Sequence, residues 1–376
     1  MGKILELIEE KKRIADEIRR MLSIESIEKA KQDHHSRRKP RPCGITIHTG
    51  IGCSITCLYC YIYDMGFPTK VKPYPLTALE LVYALAINPY VIPRRTFVAY
   101  GSVTEPFLPE TRNKALEYIA NVYYWLKLPS QISTKIAIDE ELAKKLKKAE
   151  PRISVLVSIT TLNNAMMLER FAPNPLERLM GIETASKYGI PVYLFVRPII
   201  PGITDREIHT IIKFGAEYNV KGVVLGSLRV THSIIHRLTS IGINVDEILR
   251  RVPRYPKNRE QIPVKSNDII RKVMKIAQDY GLKVFKSACM ANVDSHNEYC
   301  YMCYLGPCGI KKYYNIQDND IAEFIETLEL KVKTINIKSN RIDIVLRGKI
   351  GKEKYFVLKS VLAYATRNII SIEYSD

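Results

Sequence analysis

No run of about 18 apolar residues occurs in this chain of 376 residues, so a membrane-spanning helix is not predicted. The first helix-like segment, residues 3–21, is charged throughout, whereas a signal peptide has a continuous apolar centre. The sequence also lacks a P-loop, a GxGxxG motif after a strand, a Ser-His-Asp order, internal repeats and low-complexity tracts. We therefore expect a cytoplasmic protein that does not associate with a membrane.

Acidic residues are few relative to basic ones. The chain has 57 Lys and Arg residues against 39 Asp and Glu residues, which gives a formal net charge of +18. This charge indicates a polyanionic partner such as nucleic acid, or less often a membrane surface. The alternative is a lysine-rich solvated surface of the kind found in thermophile proteins. The length and the hydrophobic content of 46% are typical of a globular protein with one large domain and additions at its ends.

Cysteine is also sparse, and seven of the eight cysteines fall in two groups. In a cytoplasmic protein, clustered cysteines are more often metal ligands than disulfide partners. Cys43 stands outside both groups. The groups are Cys53, Cys57 and Cys60, and Cys289, Cys300, Cys303 and Cys308.

The first group has the spacing C-x3-C-x2-C and offers three thiols from one short segment. A structural zinc site needs four ligands, whereas three thiolates suit a cubane 4Fe-4S cluster with one iron left open to chelate a small molecule. Thiolates are soft ligands, which favours an iron–sulfur cluster over hard metals. A zinc knuckle that borrows Cys43 as its fourth ligand is the alternative, but such knuckles usually pair their cysteines as C-x2-C twice.

Short β-rich runs alternate with segments of helical periodicity along most of the chain. Repeated βα units of this kind predict a parallel sheet that is closed or partly closed as a barrel. The predicted strands cover residues 44–48, 96–101, 131–136, 153–160, 191–198 and 222–230, with 282–285 as a seventh candidate. The predicted helices cover residues 77–87, 111–126, 140–148, 175–188, 205–218 and 267–280.

The ends of the predicted strands are unusually polar. Ligands bind at the carboxyl ends of the strands in a parallel sheet, so we expect the functional site at this edge. The polar segments are residues 100–106, 133–135, 157–161, 197–202 and 227–229.

The spacing of Cys53, Cys57 and Cys60, with Tyr59 before the last cysteine, resembles the signature of the radical S-adenosylmethionine (SAM) superfamily. The resemblance implies that the open iron of a 4Fe-4S cluster binds the amino and carboxylate groups of SAM. An electron from the cluster, supplied by a donor such as ferredoxin or flavodoxin, then cleaves SAM to a 5′-deoxyadenosyl radical that abstracts hydrogen from the substrate. The implied fold is α/β, a partial (β/α)6-type TIM barrel whose incomplete wall leaves a wide mouth for a large substrate.

Further segments resemble one branch of this superfamily, the spore photoproduct lyase-like proteins, over residues 40–240. They are GSVTEPF at 101–107, STK at 133–135, SITT at 158–161, ERFAP at 169–173, RPIIPG at 197–202 and LRV at 228–230. By position, the resemblance implies that Thr104 and Glu105 receive the amino group of SAM and that Lys135 faces its carboxylate. The alternative for Lys135 is an ordinary surface charge.

The same resemblance implies that Ser158 faces the SAM ribose and that the backbone around Tyr59 and Pro198 faces the adenine.

One position departs from the lyase pattern. Ser102 stands where the photoproduct lyase has a cysteine that returns a hydrogen atom to the thymine radical. Because a serine O–H bond is too strong for that donation, we do not expect repair of thymine dimers, and the fate of the substrate radical stays open.

The second cysteine group follows the last predicted strand. Its four thiols suit either a closed zinc site or an auxiliary iron–sulfur cluster. Because only one C-x2-C pair is present and Cys308 follows a Gly-Pro turn, an iron–sulfur cluster is favoured over zinc. His296 is a further candidate ligand, and its alternative is an ordinary loop residue.

The remaining segments extend the predicted barrel. We predict a basic helical extension at residues 1–42, the radical SAM barrel at 43–288, the Cys-rich cluster segment at 289–310 and a small α+β domain with the order α-β-β-α-β at 311–376. Two basic runs, residues 31–41 with His34 and His35 among them and residues 250–259 around Tyr255, are candidate phosphate contacts, with Tyr255 available to stack on a base. Each run taken alone is more typical of a solvated loop.

These observations predict a radical SAM enzyme that uses SAM as cofactor or cosubstrate and begins with hydrogen abstraction. The first-choice substrate is a base in tRNA, rRNA or DNA, in agreement with the basic charge. A peptide or protein substrate is the alternative, since auxiliary clusters often accompany such substrates in this superfamily. A non-enzymatic zinc-dependent nucleic-acid-binding protein is the third possibility, and it predicts bound zinc and no SAM binding.

Overall fold

A computed structural model describes residues 1–41, 44–310 and 316–375. In this part of the chain, seven strands form one parallel sheet whose spatial order equals their order along the chain, which confirms the predicted α/β fold of a partial barrel, including its seventh strand. The strands are β1 (Ile45–Ile47), β2 (Val98–Tyr100), β3 (Ser130–Thr134), β4 (Ser154–Ser158), β5 (Val192–Ile199), β6 (Gly222–Ser227) and β7 (Lys283–Phe285).

The predicted N-terminal extension forms two helices, α1 (Lys3–Met21) and α2 (Ile24–Gln32). The α1 helix packs on the first helix of the barrel through its apolar stripe, which includes the fully buried Ile18. Its Lys11 is also buried, and the ammonium group donates to the carbonyl oxygens of Asn88 at 2.8 Å and Val91 at 3.0 Å. The extension is therefore attached to the barrel by both apolar and polar contacts.

The long helices lie between successive strands, as βα repetition requires, and their apolar sides pack on one face of the sheet. Sequence signals begin several of them. For example, Thr77 and Glu80 form a capping box, and Pro175 follows the N-cap Asn174. In chain order the helices are α3 (Ala78–Ile87), α4 (Arg112–Leu126), α5 (Glu140–Ala149), α6 (Ala165–Leu168), α7 (Pro175–Lys187), α8 (Thr204–Glu217), α9 (His232–Thr239), α10 (Asp246–Leu249) and α11 (Asn267–Asp279).

The opposite face of the sheet is covered by α12 (Ala288–Ser295). Side chains alternate between the two faces of a strand, so Val155 and Val157 pack on the outer helices while Leu156 between them packs with α12. The Tyr193 hydroxyl donates to Asp294 Oδ2 at 2.7 Å and ties this helix to β5. The beginning of the predicted Cys-rich segment therefore fills the interior of the barrel.

The C-terminal part has the predicted order α-β-β-α-β and a separate apolar cluster. Its elements are α13 (Asp318–Thr327), β8 (Val332–Ile337), β9 (Arg341–Arg347), α14 (Lys352–Thr366) and β10 (Ile369–Ser375). The central β9 pairs antiparallel with β8 and parallel with β10. The backbone N–H of Gly2 donates to the Glu323 carboxylate at 2.7 Å, so the N-terminus of the chain contacts α13.

Among the described residues, no helix is both long enough and apolar enough to cross a bilayer.

Candidate active site

The loop after β1 carries Cys53, Cys57 and Cys60. The first two thiols are buried and the third is half-buried. Arg237 of α9 holds this loop, because its guanidinium donates to the carbonyl oxygens of Leu58 and Cys60, each at 2.9 Å. The loop begins with a tight turn at Gly52, whose φ of 85° favours glycine. Any other residue would also place its Cβ only 2.4 Å from the Pro68 carbonyl oxygen, so the position requires glycine.

A cavity of about 280 Å³ lies directly beside this loop, at the carboxyl ends of the strands. This is the edge at which parallel sheets bind ligands and at which the sequence predicts the site. The three cysteines line the cavity together with the ends of β2 to β6 and with Ala288, the first residue of α12. Among the predicted SAM-binding residues, the cavity wall includes Tyr59, Thr104, Glu105, Lys135, Ser158 and Pro198. Their individual roles toward SAM stay predictions.

The three thiols fit an iron–sulfur cluster better than a zinc ion. Four thiolates around one zinc ion lie about 3.8 Å apart, because each Zn–S bond is about 2.3 Å long and the geometry is tetrahedral. The sulfur atoms of Cys53, Cys57 and Cys60 do not all lie within 4.8 Å of one another. Burial raises the pKa of each thiol, so a bound metal group is needed to keep the sulfurs deprotonated. The zinc knuckle with Cys43 lies outside the described residues.

The carboxylate of Glu105 is fixed rigidly in the cavity wall. One oxygen accepts from the Thr134 hydroxyl at 2.6 Å, and the other accepts from the backbone N–H of Lys135 at 2.8 Å. The neighbouring Thr104 donates its hydroxyl to the Gly50 carbonyl at 2.8 Å. These bonds connect β2, β3 and the cysteine loop, so the predicted pair contributes to the shape of the cavity as well as to its polarity.

Glu169 and Arg178 were not among the predicted site residues. Glu169 is almost completely buried, accepts a hydrogen bond from the Tyr59 hydroxyl and forms an ion pair with Arg178, with 2.6 Å between Arg178 Nη1 and Glu169 Oε2. It also lies 3.8 Å from the Lys135 ammonium group. Burial alone lowers the pKa of Lys135, but the Glu169 carboxylate opposes this and the net shift is upward, which keeps the ammonium charged. The ERFAP segment contained the only sequence signal for Glu169.

Two arginines at the cavity, Arg197 and Arg229, were also missed. Both side chains are exposed and line the cavity, and neither forms an ion pair with another described residue. The aliphatic part of the Arg197 side chain packs directly on Gly226. A Cβ at residue 226 would lie only 2.5 Å from Arg197 Cδ, so the glycine leaves room for this arginine. By contrast, arginines of the predicted basic run 250–259 are neutralised within the chain by carboxylates, in the pairs Arg250–Glu247, Arg251–Asp268 and Arg254–Glu260.

The second cysteine group is only partly assembled. Cys300 and Cys308 face each other in a short antiparallel pair and pack with Phe97 and Val293. Burial, together with the nearby Cys300 and Cys303, raises the pKa of Cys308 to about 11. Among the described residues, no three thiols of this group have their sulfur atoms within 4.8 Å of one another, so they do not surround a single zinc ion.

The remaining candidate ligands of this group lie apart from the short pair of strands. Cys289 is in the first turn of α12, with its sulfur 2.8 Å from the Ser287 hydroxyl. His296 is a candidate ligand from the sequence, but its Nε2 is 3.1 Å from the buried Glu150 carboxylate. His296 Nδ1 also lies 3.0 Å from the Asn292 carbonyl oxygen. His296 is therefore a buried residue at the end of α12 whose ring nitrogens contact other groups of the chain, and not the ordinary loop residue of the alternative.

Comparison with known proteins agrees with this geometry. Residues 47–215 match the family model described as the radical SAM superfamily. Among curated proteins, the uncharacterized protein ORF301 of Acidianus two-tailed virus is 27% identical over 182 residues, which cover 44% of this chain and 58% of the viral protein. The chain thus spans 58% of the length of that relative.

Solved structures of spore photoproduct lyase have a similar fold. A variant with bound AdoMet and dinucleoside spore photoproduct gives a TM-score of 0.55 at 14% identity, over 67% of this chain and 79% of that chain. A second variant gives a TM-score of 0.54 at 14% identity, over 66% of this chain and 79% of that chain. At this identity the likeness shows a shared fold. Residues 47–215 are therefore a radical SAM domain, a family whose members bind a 4Fe-4S cluster and SAM.

Proposed function

We propose that the protein binds a 4Fe-4S cluster through Cys53, Cys57 and Cys60, binds SAM in the adjoining cavity, and abstracts hydrogen from a nucleic-acid substrate. The observation that supports this proposal most directly is that three thiols and two exposed arginines, Arg197 and Arg229, line one cavity. The non-enzymatic zinc-binding alternative is set aside, since the chain carries a radical SAM domain.

When bound, the cluster and SAM supply a 5′-deoxyadenosyl radical, and a one-electron donor such as ferredoxin or flavodoxin reduces the cluster. The protein positions these groups and excludes water from them. Lys135 is partly buried beside the fully buried Glu169 and would present a fixed positive charge to the SAM carboxylate. Ser158 and Glu105 line the same cavity, where Ser158 would face the ribose of bound SAM and Glu105 its amino group. Arg237 keeps the cysteine loop in place by donating to its backbone carbonyls.

The preference for nucleic acid depends on the charge at the cavity. Arginines contact phosphate well because the planar guanidinium donates two parallel hydrogen bonds. Arg197 and Arg229 are exposed beside the reacting centre, and the net charge of +18 attracts a polyanion. The lyase with the similar fold has been solved with a dinucleoside photoproduct, which is in keeping with this choice. A peptide substrate stays the alternative, and dimer repair is not proposed because Ser102 replaces the hydrogen-donating cysteine.

The substrate class can be tested through SAM turnover. Formation of 5′-deoxyadenosine should rise above the uncoupled background when tRNA, rRNA or DNA is added to the reduced, reconstituted enzyme. If none of these stimulates turnover while a fraction of cellular protein does, the peptide alternative replaces nucleic acid.

The double variant Arg197→Gln/Arg229→Gln should weaken the salt dependence of tRNA or DNA binding. Binding of each phosphate releases counterions, so the slope of log K against log salt should flatten by about one unit for each arginine that no longer neutralises a phosphate. Titrations at several salt concentrations measure this slope. The matched control is Arg250→Gln/Arg254→Gln, whose arginines are paired with Glu247 and Glu260, and it should leave the slope almost unchanged. A flattened slope in the control alone would instead assign the phosphate-binding surface to the 250–259 run.

We also propose an auxiliary iron–sulfur cluster at Cys289, Cys300, Cys303 and Cys308. If it forms, the variant with alanine at Cys53, Cys57 and Cys60 should retain iron and sulfide after anaerobic reconstitution, because the four cysteines of the second group are not among the residues that line the cavity. Metal analysis and the visible absorption of the purified variant measure this. Retention of zinc with no iron would favour the zinc alternative, and loss of all metal would contradict a second site.

A further inference from the structure

The guanidinium of Arg367 is buried without an acidic partner. Arg367 has 0% of its surface exposed, and none of its three side-chain nitrogens has a hydrogen-bond partner in the part of the chain that the structure describes. No carboxylate of the described residues forms an ion pair with it. The other buried lysine and arginine side chains of this part have partners, since Lys11 donates to two carbonyl oxygens and Arg178 pairs with Glu169. Arg367 therefore differs from both.

An uncompensated buried charge of this kind is costly. A guanidinium stays protonated in proteins, so Arg367 cannot become neutral on burial as a lysine can. Arg367 Cζ lies 3.9 Å from the centroid of the Phe97 ring, and the face of an aromatic ring attracts a cation. This contact offsets only part of the cost, because the nitrogens still lack hydrogen-bond acceptors. The environment of Arg367 therefore favours an anionic group beside it.

Arg367 lies beside the second cysteine group. Its carbonyl oxygen accepts from the backbone N–H of Tyr301, the residue after Cys300, at 2.7 Å. The Phe97 ring that contacts the guanidinium also packs with Cys300 and Cys308. Arg367 is the C-cap of α14 and has a left-handed φ of 58°, a conformation that costs least for glycine. The end of the helix therefore does not require an arginine at this position.

The thiols of this group become anionic when they bind a metal. Each ligating cysteine is deprotonated, so a zinc ion or a 4Fe-4S cluster with four thiolate ligands has a net negative charge. Positive charge and hydrogen-bond donors near the sulfur atoms stabilise such a centre. A buried guanidinium that has no other partner can supply both. The anion that matches Arg367 is therefore a thiolate-bound metal group, whether the metal is iron or zinc.

We propose that Arg367 balances the negative charge of a metal group bound by the second cysteine group, Cys289, Cys300, Cys303 and Cys308. This inference rests on the auxiliary centre proposed above and names the residue that stabilises it. Arg367 acts through its charge and does not ligate the metal. Arg367 ends α14 of the C-terminal part, and Phe97 directly precedes β2 of the barrel. Metal binding at this site should therefore stabilise the contact between these two parts of the chain.

The test adds Arg367→Met to the full-length variant whose three cavity cysteines are replaced by alanine, so that the bound metal belongs to the second cysteine group. One sample is reconstituted anaerobically with iron and sulfide, and the other is loaded with zinc. In the sample that binds metal, Arg367→Met should speed the loss of metal to a chelator by roughly tenfold or more, because the centre has lost its compensating charge. Arg367→Lys should retain metal longer than Arg367→Gln, which repeats the comparison with milder changes. The matched control is Arg347→Met, at an exposed position in β9, and it should have no effect.

Melting temperatures with and without metal distinguish charge balance from packing. Without metal, Arg367→Met should raise the melting temperature, because it removes an unpaired buried charge. With metal bound, the same variant should melt below the chain that retains Arg367. A shift in the same direction in both states, or equal retention of metal, would overturn this inference and leave the auxiliary centre standing. If the chain with Arg367 binds neither iron nor zinc at the second cysteine group, the auxiliary centre is wrong and this inference is wrong with it.

Discussion

Replacing Cys53, Cys57 and Cys60 together with alanine is expected to abolish SAM cleavage. The three thiols are the cysteines among the described residues that line the cavity, so no remaining thiol can hold the cluster there. Turnover should fall to the level without enzyme, a loss of roughly 10⁶-fold or more if the rate enhancement is typical. Chromatographic assay of 5′-deoxyadenosine under reducing conditions measures the rate, and iron and sulfide analysis should show the loss of one 4Fe-4S cluster per chain.

The matched control for this experiment is Cys303→Ala. Cys303 is half-buried and belongs to the second cysteine group, so its removal should leave the cavity cluster and the SAM-dependent change in its spectrum intact. Thermal unfolding of both variants checks that the fold is retained. Unchanged iron content and unchanged SAM cleavage in the triple variant would contradict the assignment of the catalytic cluster to Cys53, Cys57 and Cys60.

The features that the sequence predicts best are local ones. The alternation of apolar runs and amphipathic segments identifies the strands and helices of the barrel, because buried parallel strands and helices with one apolar side have different periodicities. The cysteine spacing places the predicted cluster ligands within eight residues of sequence, in a loop that lines the cavity. The six residues assigned to SAM binding all lie on one cavity wall, since they follow strands whose carboxyl ends meet at the same edge.

The features that the sequence does not predict depend on distant partners. Glu169 lies 110 residues from Tyr59 in the chain, and the two meet where the backbone N–H of Leu58 in the cysteine loop donates to the carbonyl of Leu168 at the end of α6. Arg254 and Glu260 are only six residues apart, but the net charge of a segment does not show that the two side chains form an ion pair. In the sequence His34 and His35 belong to a basic run, but burial beside Asp33 and Tyr74 gives them a different environment.

The buried ion pair of Glu169 and Arg178 gives the last prediction. Both side chains are almost completely excluded from solvent, and their closest approach is 2.6 Å. Glu169→Gln removes the charge but keeps the shape, which leaves the buried Arg178 guanidinium and the partly buried Lys135 ammonium group without their carboxylate partner. Breaking a buried pair in this way costs about 3 to 5 kcal/mol, a large part of the roughly 5 to 15 kcal/mol that stabilises a typical domain. The same change should weaken SAM binding, because the Glu169 carboxylate holds both Lys135 and the Tyr59 hydroxyl at the cavity.

Chemical denaturation measures the free energy of unfolding, and equilibrium dialysis with labelled SAM measures the affinity. The double variant Glu169→Gln/Arg178→Met removes both charges and should recover part of the lost stability, since the unpaired guanidinium is gone, but SAM binding should stay weak because Lys135 still lacks its partner. The exposed pair provides the matched control, and Glu260→Gln should change stability by no more than about 0.5 kcal/mol. If Glu169→Gln is as stable as the unmodified chain, the pair does not hold the cavity wall. If stability falls while the affinity for SAM is unchanged, Glu169 is a structural residue and does not position Lys135.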